Sequence, residues 1–166
     1  EMDWFIISLI NGVVYGLLLF MVSAGLTLVF GMMGILNFAH ASFYMIGAYA
    51  AYVVSSILGF WAGLIIGPIF VAIIGLGVER FLLRPVHRYG HASELLVTFG
   101  LAFVFDELVK VFFGFYMVSY SIPEALRFPA FTLFGSAYPL SRLFVALVAI
   151  SLFAIPLAIR GCTRQT

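Results

Sequence analysis

Between Trp4 and Val78 the chain has no Asp, Glu, Lys or Arg. Charge is scarce elsewhere too: 9% of the 166 residues are charged, while 64% are hydrophobic and the mean hydropathy is +1.20. Soluble domains carry about 25% charged residues, so no soluble fold could cover this much apolar surface. The composition therefore reads as an all-α polytopic membrane protein. The single cysteine, Cys162, lies among basic residues and excludes a disulfide framework or a cysteine metal cluster. A net charge of +1, with no basic patch interleaved with aromatics, argues against nucleic acid. Nothing reads GxxxxGK[ST], so no nucleotide or other cofactor is expected in this chain. His40, His87 and His91 do not combine with acids on one helix face at a metal-ligand spacing. No Ser or Cys is placed with a base as a nucleophile, which speaks against an enzyme.

What the sequence does have is apolar length. A membrane helix needs about 20 apolar residues, and five spans fit, near 4–30, 42–58, 60–83, 95–117 and 140–159, forming one transmembrane domain over 1–166. Cleavable signal peptides open with positive charge. This chain opens with Glu1 and Asp3, so the first apolar segment reads as a retained span. The stretch Val118–Pro139 holds Pro123, Pro129, Gly135 and Pro139 and reads as a loop. Arg80, Arg84 and Arg88 fall in Glu79–Glu94, and Arg160 and Arg164 in Ile159–Thr166. Lys and Arg mark the inner side, so these two segments are expected inside and the acidic N-terminus outside.

Small residues at helical spacing let backbones approach closely in lipid. Gly12 and Gly16 have that spacing in the first span, and Gly63, Gly67, Gly75 and Gly77 repeat the theme in the third. The polar residues inside the apolar tract are fewer. Asn37 and His40 stand three apart, so they can share one helix side. Two readings are open: hydrogen bonds that fix packing, or an interrupted segment lining a polar pathway, with Gly31 and Gly34 allowing the break. Asp106 and Lys110, four apart, are expected to pair as ions within the fourth span. Glu79, Arg80, Arg84 and Pro85 belong to the inner loop, where the arginines can snorkel to the interface.

The wording of two stretches goes further. AGLTLVFGMMGILNFAHASFYMIGAYAAY (Ala24–Tyr52), with Asn11, Gly12 and Gly16 ahead of it, closely resembles the N-terminal signature of the LIV-type permeases. These are the transmembrane subunits of ABC importers for branched-chain and related amino acids, amides or urea. VERFLLRPV (Val78–Val86) is similar to the family's ER-xxx-RP inner loop, and LLVTFGLAFVFDELVKVFFG (Leu95–Gly114) to its following span. Three positions depart: Ala41 stands where the family commonly has Gly, and Leu19-Phe20 where it has Tyr-Ala.

The resemblance implies the N-terminal portion of a longer permease in the bacterial inner membrane. Expected partners are a second permease subunit, ABC ATPase subunits that bind the ATP, and a periplasmic substrate-binding protein that delivers the amino acid. Alternating access would be the mechanism, with Asn37 and His40 in the pathway or its gate. From other classes, an autonomous scaffold or oligomeric pore, or part of a secondary transporter, remain as alternatives.

Overall fold

The structure, a computed structural model, describes residues 2–34, 36–116, 118–120, 122–133 and 136–163. Glu1, Gly135, Arg164 and the span end at Met117 lie outside them. Helices α1 (Met2–Met33), α2 (His40–Leu58), α3 (Phe60–Val78), α4 (Arg84–His87), α5 (His91–Phe113) and α6 (Leu140–Thr163) make up an all-α polytopic membrane protein. Among the described residues three helices are long and apolar enough to cross a membrane: Trp4–Gly31, His40–Leu58 and the continuous run Phe60–His87. Helix α5 carries Glu94, Asp106, Glu107 and Lys110, and the described apolar stretch of α6, Leu140–Leu152, is shorter.

The segment expected as the inner loop is instead helical. Between α3 and α4 the backbone passes through a π-helical turn, Glu79–Leu83, in which the Arg84 N–H bonds the Glu79 carbonyl. Pro85 explains the widened turn. Proline has no N–H, and in a regular helix its ring collides with the carbonyl four residues back. The wider i→i+5 repeat relieves that collision without ending the helix. Glu79, Arg80, Arg84 and Pro85 are thus helix-end residues rather than loop residues.

The expected loop before α6 also has structure. Glu124–Leu126 forms a 3-10 turn, and β1 (Pro129–Leu133) pairs antiparallel with β2 (Ser136–Pro139). Thr132 lies opposite Ala137 and Leu133 opposite Ser136, while a register shift falls between Pro129 and Phe131. Prolines at the outer ends suit an edge hairpin, since proline cannot donate to the ladder.

The chain divides into two compact units, 1–24 with 122–166, and 25–121. In the first, the Arg142 guanidinium at the start of α6 donates to the Asn11 side-chain carbonyl on α1. In the second, α2 and α3 form the main helix pair. Their contact rests on Gly63 and Gly67, which meet Ser55 and Ala51. A Cβ at Gly63 would fall inside contact distance of the Ser55 hydroxyl and 2.6 Å from the Ala51 carbonyl oxygen. Among the described residues nothing lies within 4 Å of a Cβ built on Gly12 or Gly16.

Helix α5 packs against α2 through aromatic rings: Phe43 meets Phe105 at 5.2 Å between centroids, and Tyr49 meets Phe113 at 4.5 Å. Ring pairs at such distances add stabilisation beyond their buried area. Beyond α5, the Tyr120 hydroxyl returns to hydrogen-bond the Ser55 hydroxyl at 2.7 Å.

Candidate functional site

The break in the first apolar tract falls at Gly34, not Gly31. Helix α1 continues through Gly31 to Met33, and Gly34 then takes φ = +67°. L-residues with a Cβ rarely adopt that left-handed region, and glycine adopts it freely. Asn37 therefore lies outside any helix, in the turn that opens α2, and does not share a helix side with His40. The Asn37 side-chain oxygen accepts the Ala39 N–H at 2.9 Å, while the Asn37 carbonyl accepts the His40 N–H at 3.2 Å. This is a side chain standing in for backbone at a turn. Asn37 is buried and Ala39 fully so.

For Asn37 the packing reading consequently has a direct observation. Asn37→Ala is expected to cost about 1 kcal/mol, the scale of a lost helix-start hydrogen bond. Asn37→Ser keeps a neutral side-chain oxygen as acceptor and should recover part of it. Unfolding midpoints in denaturing detergent check both, and equal loss in the two variants would contradict the turn's role.

His40 is the first residue of α2, and its ring occupies space left open at Gly25 on α1. A Cβ at Gly25 would sit 3.3 Å from His40 Nε2. Two parts of the sequence 15 positions apart thus meet as ring against bare backbone. The next turn of α2 lines a cleft of about 330 Å³ with Ala41, Ser42 and Met45, opposite Phe99, Phe103 and Asp106 of α5. Phe38, in the turn itself, meets Phe99 edge-on at 6.1 Å. The start of α2 and the acidic part of α5 accordingly face one cleft, a juxtaposition the sequence does not display.

Asp106 Oδ2 lies 2.6 Å from Lys110 Nζ, and Glu107 Oε1 is 2.9 Å from the same ammonium. Lysine therefore bridges two carboxylates rather than forming the simple pair expected. Sharing one cation lowers the cost of holding two acids on an otherwise apolar helix.

A second polar cluster escapes sequence reasoning. Glu94, in the first turn of α5, is 1% exposed. His87 Nδ1 hydrogen-bonds Glu94 Oε1, and His91 Nδ1 lies 3.3 Å from Glu94 Oε2. One turn further, Thr98 is fully buried and its hydroxyl donates to the Leu95 carbonyl at 3.1 Å. The arrangement fastens the α4–α5 corner. The spacing of His91 and Glu94 (i,i+3) was visible, but the fold-back that adds His87 was not. Among the described residues no group of histidine, cysteine and acidic side chains is arranged to hold a metal ion.

Comparison with known proteins matches this chain to others. A family described as "Branched-chain amino acid transport system / permease component" matches residues 8–159. The high-affinity branched-chain amino acid transport system permease protein LivH of Salmonella typhimurium is 29% identical over 118 residues, covering 65% of this chain and 38% of the relative. LivH of Escherichia coli K12 is 27% identical over the same length. BraD of Pseudomonas aeruginosa is 26% identical over 121 residues, 67% of this chain and 39% of the relative. The matched part thus spans well under half the length of these relatives, and no solved structure matches. With 152 of its residues inside the family match (159 − 8 + 1), the chain belongs to the branched-chain amino acid transport system permease family.

Proposed function

We propose that this membrane permease chain forms part of the translocation pathway of a bacterial ABC importer for branched-chain or related amino acids. The observation that carries the reading is the broken segment at Gly34. It sets His40 against the bare backbone of Gly25 and opens α2 onto the cleft that holds Asp106. Irregular backbone at membrane depth is tolerated where protein or water surrounds it, and a largely apolar cleft beside such a break, with Ser42 and Asp106 as its polar side chains, suits a pathway wall for an amino acid with an apolar side chain.

In this reading the chain crosses the inner membrane five times, N-terminus outside. It works with a second permease subunit, two ATPase subunits that bind and hydrolyse ATP, and a periplasmic binding protein that supplies the amino acid. This chain contributes no catalytic group. It contributes a wall that changes shape by alternating access, with the Gly25–His40 contact as the point where α1 moves against α2.

The test is substrate uptake by the assembled importer carrying His40→Ala. Uptake is expected to fall about tenfold at unchanged membrane levels, corresponding to about 1.4 kcal/mol in the barrier. Wild-type uptake by that variant would remove His40 from the pathway. Substrate or ion flux through the purified chain without ATPase partners would instead establish the autonomous pore.

A further inference from the structure

The helix end that the π-turn prolongs carries a feature that permeation does not use. Arg80, Arg84 and Arg88 follow one another at four-residue steps, the first two at the end of the Phe60–His87 span and Arg88 capping it, and all three are exposed. Residues four apart share a helix face. Two of the three guanidinium groups are held in place. Arg84 donates from Nε and Nη2 to Glu79 Oε1 at 3.2 Å, and from Nη2 to Oε2 at 3.4 Å. Glu79 and Arg84 are five apart, and only the wide π repeat brings that spacing onto one side. Arg88 donates from Nη2 to the Tyr89 hydroxyl at 2.9 Å, with its guanidinium carbon 4.8 Å from the ring centre. Such stacking steadies a guanidinium over an aromatic face.

Charge and surface at this level are both unbalanced. Three arginines against Glu79 leave two net positive charges (3 − 1), and Glu94, the next acid along, is buried against its histidines. Phe81 is 72% exposed and Tyr89 65%, so large apolar side chains alternate with the arginines. A rim that offers guanidinium forks beside apolar rings at the end of a membrane span matches an amphiphile with an anionic head and hydrocarbon tails.

We propose that Arg80, Arg84 and Arg88 form a binding site for the headgroup of an anionic phospholipid, with Phe81 and Tyr89 against its acyl chains. Glu79 competes with the lipid phosphate for Arg84 and so moderates the affinity. The π-turn is then part of the site, because it places that internal competitor.

The experiment measures lipid retention by native mass spectrometry of the purified chain in detergent. It compares phosphatidylglycerol with phosphatidylcholine of the same acyl composition. Phosphatidylglycerol is expected to be preferred, and removing each arginine should cut that preference up to about fivefold. The triple variant Arg80→Ala, Arg84→Ala, Arg88→Ala should lose the preference. The triple lysine variant, which keeps charge but not the planar fork, should retain part of it. Glu79→Gln should raise phosphatidylglycerol retention, and this arm decides the matter if the alanine variant fails to fold. Equal retention of the two lipids, an undiminished preference in the alanine variant, or no gain in Glu79→Gln would overturn the proposal. So would displacement of phosphatidylglycerol by millimolar inorganic phosphate, which would assign the arginines to a free anion.

Discussion

Gly63→Val is expected to separate α2 from α3 and to destabilise the 25–121 unit by about 3 kcal/mol, the upper range for forcing extra volume into a packed contact. The side chain has no space to enter. Its Cβ would already collide with the Ser55 hydroxyl, lie 2.6 Å from the Ala51 carbonyl oxygen and 3.1 Å from Ser55 Cβ. Ser55 could rotate, but the Ala51 backbone cannot, so the helices must part. Gly67, one turn along, shows the same seam, with a Cβ 2.9 Å from Ala51 Cβ. Displacing Ser55 would also break its bond to Tyr120 and free the segment after α5. Helices in lipid associate largely by close packing, so a gap here has no hydrophobic remedy. Gly12→Ala on α1 is the contrast: no described atom lies within 4 Å, and the effect on this chain's folding should stay within about 0.5 kcal/mol. Unfolding of the purified chain in mixed micelles, followed by circular dichroism, measures both. Equal midpoints for wild type and Gly63→Val would refute the seam.

Glu94→Leu is expected to loosen the α4–α5 corner by about 3 kcal/mol. The carboxylate is 1% exposed and accepts from two imidazoles. Leucine fills similar space but leaves His87 and His91 without their acceptor, at about 1–3 kcal/mol for each group left unsatisfied out of water. His87 and His91 are themselves exposed at the ring, so water relieves part of that cost. Glu94→Gln keeps one carbonyl acceptor and should fall between. Hydrogen exchange over residues 84–98 locates the change, and a double-mutant cycle with His87→Ala isolates the contact. A coupling energy of about 1–2 kcal/mol is expected for a contacting pair in one network. If His87→Ala costs the same with and without Glu94, the two side chains do not act together.

The sequence by itself determined the class and the principal elements. Among the described residues, three long apolar helices follow from a tract in which no Asp, Glu, Lys or Arg interrupts the run from Trp4 to Val78, because a helix bonds all its backbone groups within one segment, as lipid requires. The NFAH wording carried the family, which the match over residues 8–159 then showed. The pairing of Asp106 with Lys110 was legible because i,i+4 neighbours need no tertiary information.

Tertiary structure decided which of several equivalent signals matter. Gly12–Gly16 and Gly63–Gly67 have the same spacing, yet among the described residues only the second meets a neighbouring helix, since spacing specifies a face and not what packs on it. The break belongs to Gly34 rather than Gly31, because a turn needs positive φ at one residue and α1 keeps its hydrogen bonds through Met33. The sequence places Pro85 in an inner loop, but the folded chain keeps it in a helix behind a π-turn, at the cost of one wider ring of backbone hydrogen bonds. Glu94 looked like one charge in a basic loop until the corner folded back and placed His87 on it. A carboxyl group out of water needs hydrogen-bond partners to replace its lost hydration, and only the folded chain brings His87 and His91 to it from two directions.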